Sequence, residues 1–188
     1  MPPKAKITKE MIVDAAFEIV RTDGIDKVTA RTISEKLKCS TQPVLYHFQT
    51  VEEIKKKVYA KADEYHVHYL MSMEKDLGSP MLTMGMNYIR FAIEESSLFR
   101  FLFQSNGLSG ANLLDLLDAG EMLPFLSSLQ NELDISLEDA KDVFSTLFIF
   151  IHGYASLYAN NTMFYDEAGV IKALRKVFAG AVHAAKGP

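Results

Sequence analysis

Gln42 carries a carboxamide that donates and accepts together, which is what an adenine edge offers in the DNA major groove. Thr41 beside it adds a short hydroxyl. Both follow Ser40, whose side chain can accept a backbone N–H and so cap a helix start. Pro43 suits the first turn of that helix, where no intrahelical donor is lost. A helix over Thr41–Phe48 is therefore expected. It should expose Thr41, Gln42, Tyr46 and His47 and turn Val44, Leu45 and Phe48 inward. Thr29, Arg31, Tyr46, His47 and Lys55 are candidates for phosphate contacts, which position a protein without reading sequence. Ser40 completes the candidate DNA-binding set. Arg31 and Lys55 could equally be solvated charges, and Tyr46 could pack on the next helix. Lys4 and Lys6, near the start, could reach a groove or stay in water.

These side chains need a scaffold, and the preceding residues describe one. Thr8 can cap a first helix whose stripe runs through Ile12, Ala15, Ala16, Ile19 and Val20. Asp23-Gly24 ends it, because glycine accepts the backbone conformation that stops a helix. Thr29 then caps a second helix carrying Ala30, Ile33 and Leu37 on one face. Lys38-Cys39 interrupts that pattern before the third helix begins. Cys39, at the turn, reads as a small apolar packing residue. The result is a three-helix head of the helix-turn-helix kind, with its last helix presented outward.

Thr50 to Glu53 forms a capping box that opens a longer fourth helix, with Ile54, Val58, Ala62, Tyr65 and Tyr69 in a stripe reaching about Lys75. Gly78-Ser79-Pro80 breaks the chain again. Further helices are expected over 80–95, 97–105, 110–130, 136–160 and 166–185, the third kinked or divided at Pro124. No segment alternates apolar and polar residues, so the fold class is all-α.

The 188 residues are 48% hydrophobic and 23% charged, enough for a core and unlike a disordered chain. The net charge of −4 divides unevenly, with +3 over residues 1–60 and −7 over the rest. A basic head on an acidic body suits phosphate contact at one end. One cysteine excludes an internal disulfide and suits a reducing cytoplasm. The start has no apolar leader, and no run of about 18 apolar residues would span a membrane. The chain lacks a Gly-rich phosphate loop, HExxH, Gly-x-Ser-x-Gly or a cysteine pair, so no enzyme, cofactor or metal site is expected. His66 and His68, two apart on a helix, face different ways and make a poor metal pair.

The first 60 residues resemble the N-terminal domain of the TetR family of bacterial transcriptional repressors. The likeness rests on Ile12-x-x-Ala15-Ala16-Phe17, Asp23-Gly24-Ile25 and Val28-Thr29-x-x-x-Ile33. It continues in Cys39-Ser40, His47-Phe48 and Glu52-Glu53-Ile54. Two positions depart from the pattern. Leu45 stands where the family usually has tyrosine, with Tyr46 one place later. Val51 stands where a lysine usually opens the fourth helix, and Lys55, Lys56 and Lys57 come a turn on. That lysine's phosphate contact is not carried over.

The resemblance implies a DNA-binding domain over 1–50 and a helical effector-binding and dimerisation domain over 51–188. The two would be joined by the long fourth helix. It implies a repressor that binds a double-stranded, palindromic operator as a homodimer and is released by a small, largely apolar effector. Pocket candidates are Met84, Tyr88, Phe91, Phe99, Phe103 and His152, the last equally readable as a hydrogen-bonded core histidine. Dimer candidates are Phe144, Phe148, Ile151 and Ala155 in one late helix and Leu174, Val177 and Phe178 in the next. The contrasting reading is a helical protein-interaction module whose head does not bind DNA.

Overall fold

The computed structural model describes residues 7–72, 77–105, 122–161 and 163–187. Among them every regular element is helical. Thr8 caps α1 (Lys9–Asp23), its hydroxyl accepting the Met11 N–H at 3.2 Å. The stripe read from the sequence is the buried face, from Ile12 to Val20. Gly24 ends the helix at φ 88°, ψ 165°, a conformation that a side chain would strain. A single 3₁₀ turn, Ile25–Lys27, leads to α2 (Ala30–Lys36). The Thr29 hydroxyl accepts the Thr32 N–H, and the Thr32 hydroxyl answers the Thr29 N–H. Two otherwise orphaned donors are thereby satisfied. Lys38 takes φ 53° in the turn before α3 (Gln42–His47).

The fourth helix, α4 (Val51–Met71), opens on half of the expected capping box. Thr50 accepts the Glu53 N–H, but the Glu53 carboxylate takes the N–H of Gln49 instead of that of Thr50. Next come α5 (Pro80–Glu94), α6 (Ser96–Phe103), α7 (Leu123–Leu133), α8 (Leu137–Asn160) and α9 (Glu167–Lys186). Ser136 and Asp166 cap the last two through the N–H groups of Asp139 and Gly169. Pro124 lies in the first turn of α7 and begins that helix, where a kink or division was expected. Residues 110–121 of the helix expected over 110–130, the expected end of α4 near Lys75, and Lys4 and Lys6 lie outside the described residues.

The described residues fall into two compact units. The first holds α1, α2 and α3, α4 as far as His68, and the stretch from Glu95 through α6. Its core contains Ile12, Ala16, Val20, Ile33, Val44, Phe48, Ile54, Val58 and Leu98. The α4 helix therefore belongs largely with the head, although it begins after the sequence boundary at residue 50. One polar contact stands inside this unit. The Glu95 carboxylate, whose side chain is 7% exposed, accepts Arg21 Nε at 2.8 and 3.0 Å and the Tyr65 hydroxyl at 2.9 Å. Residues from α1, α4 and the start of α6 thus meet on one buried carboxylate.

The second unit comprises Tyr69–Glu94 and the helices after residue 108. Here α5 lies against α8 and α9 at Gly85, where an added Cβ would come 2.6 Å from Ile151 and 3.4 Å from Leu174. Asn87 holds the end of α4 by donating to the carbonyls of Leu70 and Ser72.

Glu95→Gln should destabilise the chain to urea by about 2 kcal/mol, since charge-assisted hydrogen bonds to a buried group are lost. An unchanged unfolding midpoint would show that the buried ion pair contributes nothing net. His66 gives a second expectation. Burial pushes its pKa from 6.5 down to about 4, beside the edge of Phe103 at 5.0 Å. Below about pH 6.5 the unfolded chain takes up a proton that the folded chain refuses, so stability must fall with pH. Between pH 7 and 5 the loss traceable to His66 should be about 2 kcal/mol. His66→Leu should flatten the urea midpoint over that range, and an equally steep profile would exclude the histidine as its source.

Candidate nucleic-acid interface

Two side chains four apart, Val44 and Phe48, bury one line of α3 in the core of the head. The rest of this short helix faces out. Thr41, Gln42 and Tyr46 are exposed, as the sequence suggested, and Tyr46 is 83% exposed. Its ring meets the His47 ring edge-on at 5.2 Å. Leu45 is the correction. It was expected inside, yet it is 56% exposed. Each residue turns a helix by about 100°, so Leu45 stands more than a quarter-turn round α3 from the buried Val44, while Phe48, the extended residue that ends the helix, fills the core beside Val44. The sequence did hold a clue, because Leu45 occupies the position where the TetR-like pattern carries a tyrosine.

Ser40 also differs from expectation. The N-cap of α3 is Thr41, in helical conformation, and no side chain caps the helix. Ser40 is exposed beside it. Of the remaining candidates, Thr29 is exposed but spends its hydroxyl on the α2 capping box. Arg31 donates to Glu35 at 2.9 Å, an exposed i,i+4 pair of the kind that contributes little and can open. Lys55 donates to Glu52 at 2.8 Å and is half-buried, while Lys56 and Lys57 are exposed. His47 is half-buried, and its Nε2 lies 2.9 Å from the Ile7 carbonyl. A carbonyl only accepts, so that nitrogen carries a proton and donates. This bond ties the end of α3 to the residue before the α1 cap. The structure therefore assembles Thr41, Gln42, Leu45 and Tyr46 as one outward patch on α3.

The pocket candidates divide between the two units. Phe99 and Phe103 belong to the first, their rings 5.2 Å apart. Met84, Tyr88, Phe91 and His152 belong to the second. There the Tyr88 hydroxyl lies 2.9 Å from His152 Nδ1. Burial pushes the tyrosine pKa up and that of the histidine down, so both groups are neutral near pH 7. Phe148 stacks on the imidazole at 5.6 Å, and Phe144 on Phe148 at 5.9 Å. His152 is thus hydrogen-bonded inside the helical body.

The dimer candidates divide by burial. Ile151, Ala155 and Leu174 are buried within the single chain, Ile151 and Leu174 being closed over Gly85. Phe144, Phe148, Val177 and Phe178 are half-buried. The outward side of α8 instead carries Ile149, 64% exposed, with Gly153 and Leu157 following at intervals of four. A Cβ added at Gly153 would meet nothing within 4 Å beyond its chain neighbours and the backbone of its own helix.

No protein-family model matches the chain. Over 101 residues it is 26% identical to an uncharacterized HTH-type transcriptional regulator, YobS, of Bacillus subtilis (strain 168). The match covers 53% of this chain and 53% of that protein, so the chain spans about half the length of this curated relative. A solved transcriptional regulator from Rhodococcus sp. Rha1 has a similar fold, with TM-score 0.63, 14% identity, and coverage of 97% of this chain and 100% of that one. The architecture is therefore one that a transcriptional regulator also adopts. Among the described residues, no helix is long and apolar enough to cross a membrane.

The His47 geometry makes a structural role measurable. His47→Phe should lower thermal stability by about 1 kcal/mol through loss of the bond to Ile7. Unaltered stability would return His47 to the set of surface side chains available for phosphate.

Proposed function

We propose that this chain is a TetR-like DNA-binding transcriptional regulator, a repressor that holds a palindromic operator as a homodimer. The observation that carries this reading is the outward patch of α3, fixed to the head by Val44 and Phe48. Similarity to an HTH-type regulator over about half of the chain supports it. Residues 1–50 form the DNA-binding domain in this reading, and 51–188 the effector and dimerisation domain.

Gln42 pairs with adenine, and Thr41 contacts a neighbouring base edge. Arg31 and Lys55 take phosphates once their surface pairs with Glu35 and Glu52 open, each neutralised phosphate releasing a counterion, and the Tyr46 and Ser40 hydroxyls donate to further phosphate oxygens. Thr29 contributes only beyond its capping role. The α8 and α9 helices meet their copies in a four-helix bundle. Ile149 and Leu157 supply the free apolar surface, rimmed by the half-buried Phe148 and Phe178. Two-fold symmetry then sets the two α3 helices about one DNA turn, roughly 34 Å, apart. A small, largely apolar effector binds the aromatic body near the Tyr88–His152 pair and favours an arrangement that no longer fits the operator.

Gel shifts with operator DNA selected from a random pool should show a dimer that loses affinity steeply between 50 and 200 mM salt, as phosphate contacts require. Gln42→Ala should weaken the selected site by about tenfold, the loss of one good base contact. Binding that is absent, or indifferent to salt, would refute the reading and leave a helical interaction module.

A further inference from the structure

The head leaves an apolar side chain where its reading helix should be most polar. Among its described residues up to Thr50, Leu45 and Tyr46 are the large hydrophobic side chains that remain exposed. Both lie on α3. Tyr46 carries a hydroxyl that water or phosphate can satisfy. Leu45 has only methyl groups to offer. It stands three residues after Gln42 and four after Thr41, so all three side chains are neighbours on one helix face. Its exposure comes from the anchoring of α3 and not from local disorder of packing, since Val44 on one side and Phe48 a turn later are both buried.

We infer that Leu45 is a specificity-determining residue that packs against the C5-methyl group of a thymine in the major groove. This inference rests on the DNA-binding function proposed above. In the major groove that methyl is the one apolar group that projects from the base edges, which otherwise present chiefly hydrogen-bonding groups. A leucine pressed against a G·C pair would instead strip water from polar edges without replacing their hydrogen bonds. The residues from Gln42 to Leu45 advance about 4.5 Å along the helix axis, against about 3.4 Å per base pair along DNA. With α3 lying along the groove, the methyl therefore belongs to a base pair next to the one whose adenine Gln42 reads. The pair of contacts defines a preference for an A/T step in each half-site. Tyr46 and the basic residues outside the patch do not read this step, because they address the backbone.

The test replaces one atom group in the DNA. Each thymine of the selected operator is exchanged singly for deoxyuridine, which pairs identically and lacks only the methyl. Wild-type protein should lose about fourfold in affinity at one thymine per half-site, the ratio that about 0.8 kcal/mol for one buried methyl group represents. The sensitive thymine should lie within one base pair of the adenine whose substitution no longer matters to Gln42→Ala. Leu45→Ala should bind the thymine and deoxyuridine sites equally, with a thermal unfolding curve like the wild type's because the side chain is exposed. If Leu45→Ala keeps the same deoxyuridine penalty, or if no thymine shows one, Leu45 does not read DNA and its exposed side chain serves another surface. If wild-type protein selects no DNA at all, the proposed function fails together with this inference.

Discussion

Glu95 sets the terms for the first unit. A carboxylate so little exposed is unstable unless donors surround it, and its donors come from distant parts of the chain. Arg21 belongs to the last turn of α1, and Tyr65 to α4. Both must therefore stand where Glu95 can accept from them. Arg21 adds a second constraint, since its guanidinium lies 5.6 Å from the centre of the Tyr65 ring. The ring of Phe17 meets the same tyrosine edge-on at 5.6 Å. Apolar packing alone would allow α1, α4 and α6 to slide a little over one another. A bidentate pair with one acceptor fixes their register, because its geometry tolerates little error.

That register carries through to α3. The buried side of α1 supplies the surface on which the head closes, and Val44 of α3 and Phe48 just after it close with it. His47 adds a polar tie to Ile7 at the other end of α1. A helix of six residues has too few internal hydrogen bonds to persist alone, so its orientation is borrowed from the unit around it. What it shows outward is then the remainder left by its anchors: two short polar residues, a leucine and a tyrosine. The charge pattern agrees with such a role, since the excess of basic residues lies in the first 60 positions.

The second unit follows a different rule. Its helices meet through small residues and aromatic stacks, and polar ties such as Tyr88–His152 lie inside the apolar packing. The close approach at Gly85 draws the apolar line through Ile151 and Leu174 into the monomer. It leaves Ile149 and Leu157, on another side of α8, facing solvent. Arg90 and Glu167 form a further ion pair between α5 and the start of α9. The helix carries more apolar residues than one face can bury, which is why the sequence suggested an interface there.

Much of the fold was legible because it is written in local chemistry. Thr8 and Thr29 announce helix starts through hydrogen bonds that reach only three residues ahead, and Gly24 announces an end through its own backbone freedom. Periodicity over more than two turns likewise marks buried faces such as Ile12 to Val20 or Ile54 to Ala62. The exposed trio Thr41, Gln42 and Tyr46 could be read in the same way. Leu45 could not, because fewer than two turns do not fix a face by period alone, and the direction of α3 is set by Val44 and Phe48 meeting a core built from other helices. Nor could the partners of Glu95, 74 and 30 residues away along the chain, or the face of α8 that Gly85 claims. Sequence determined that these segments are helical and where α1 and α2 begin, since caps and turns act within a few residues. Tertiary structure alone decided which apolar side chains stay outside, since that depends on how closely distant helices approach.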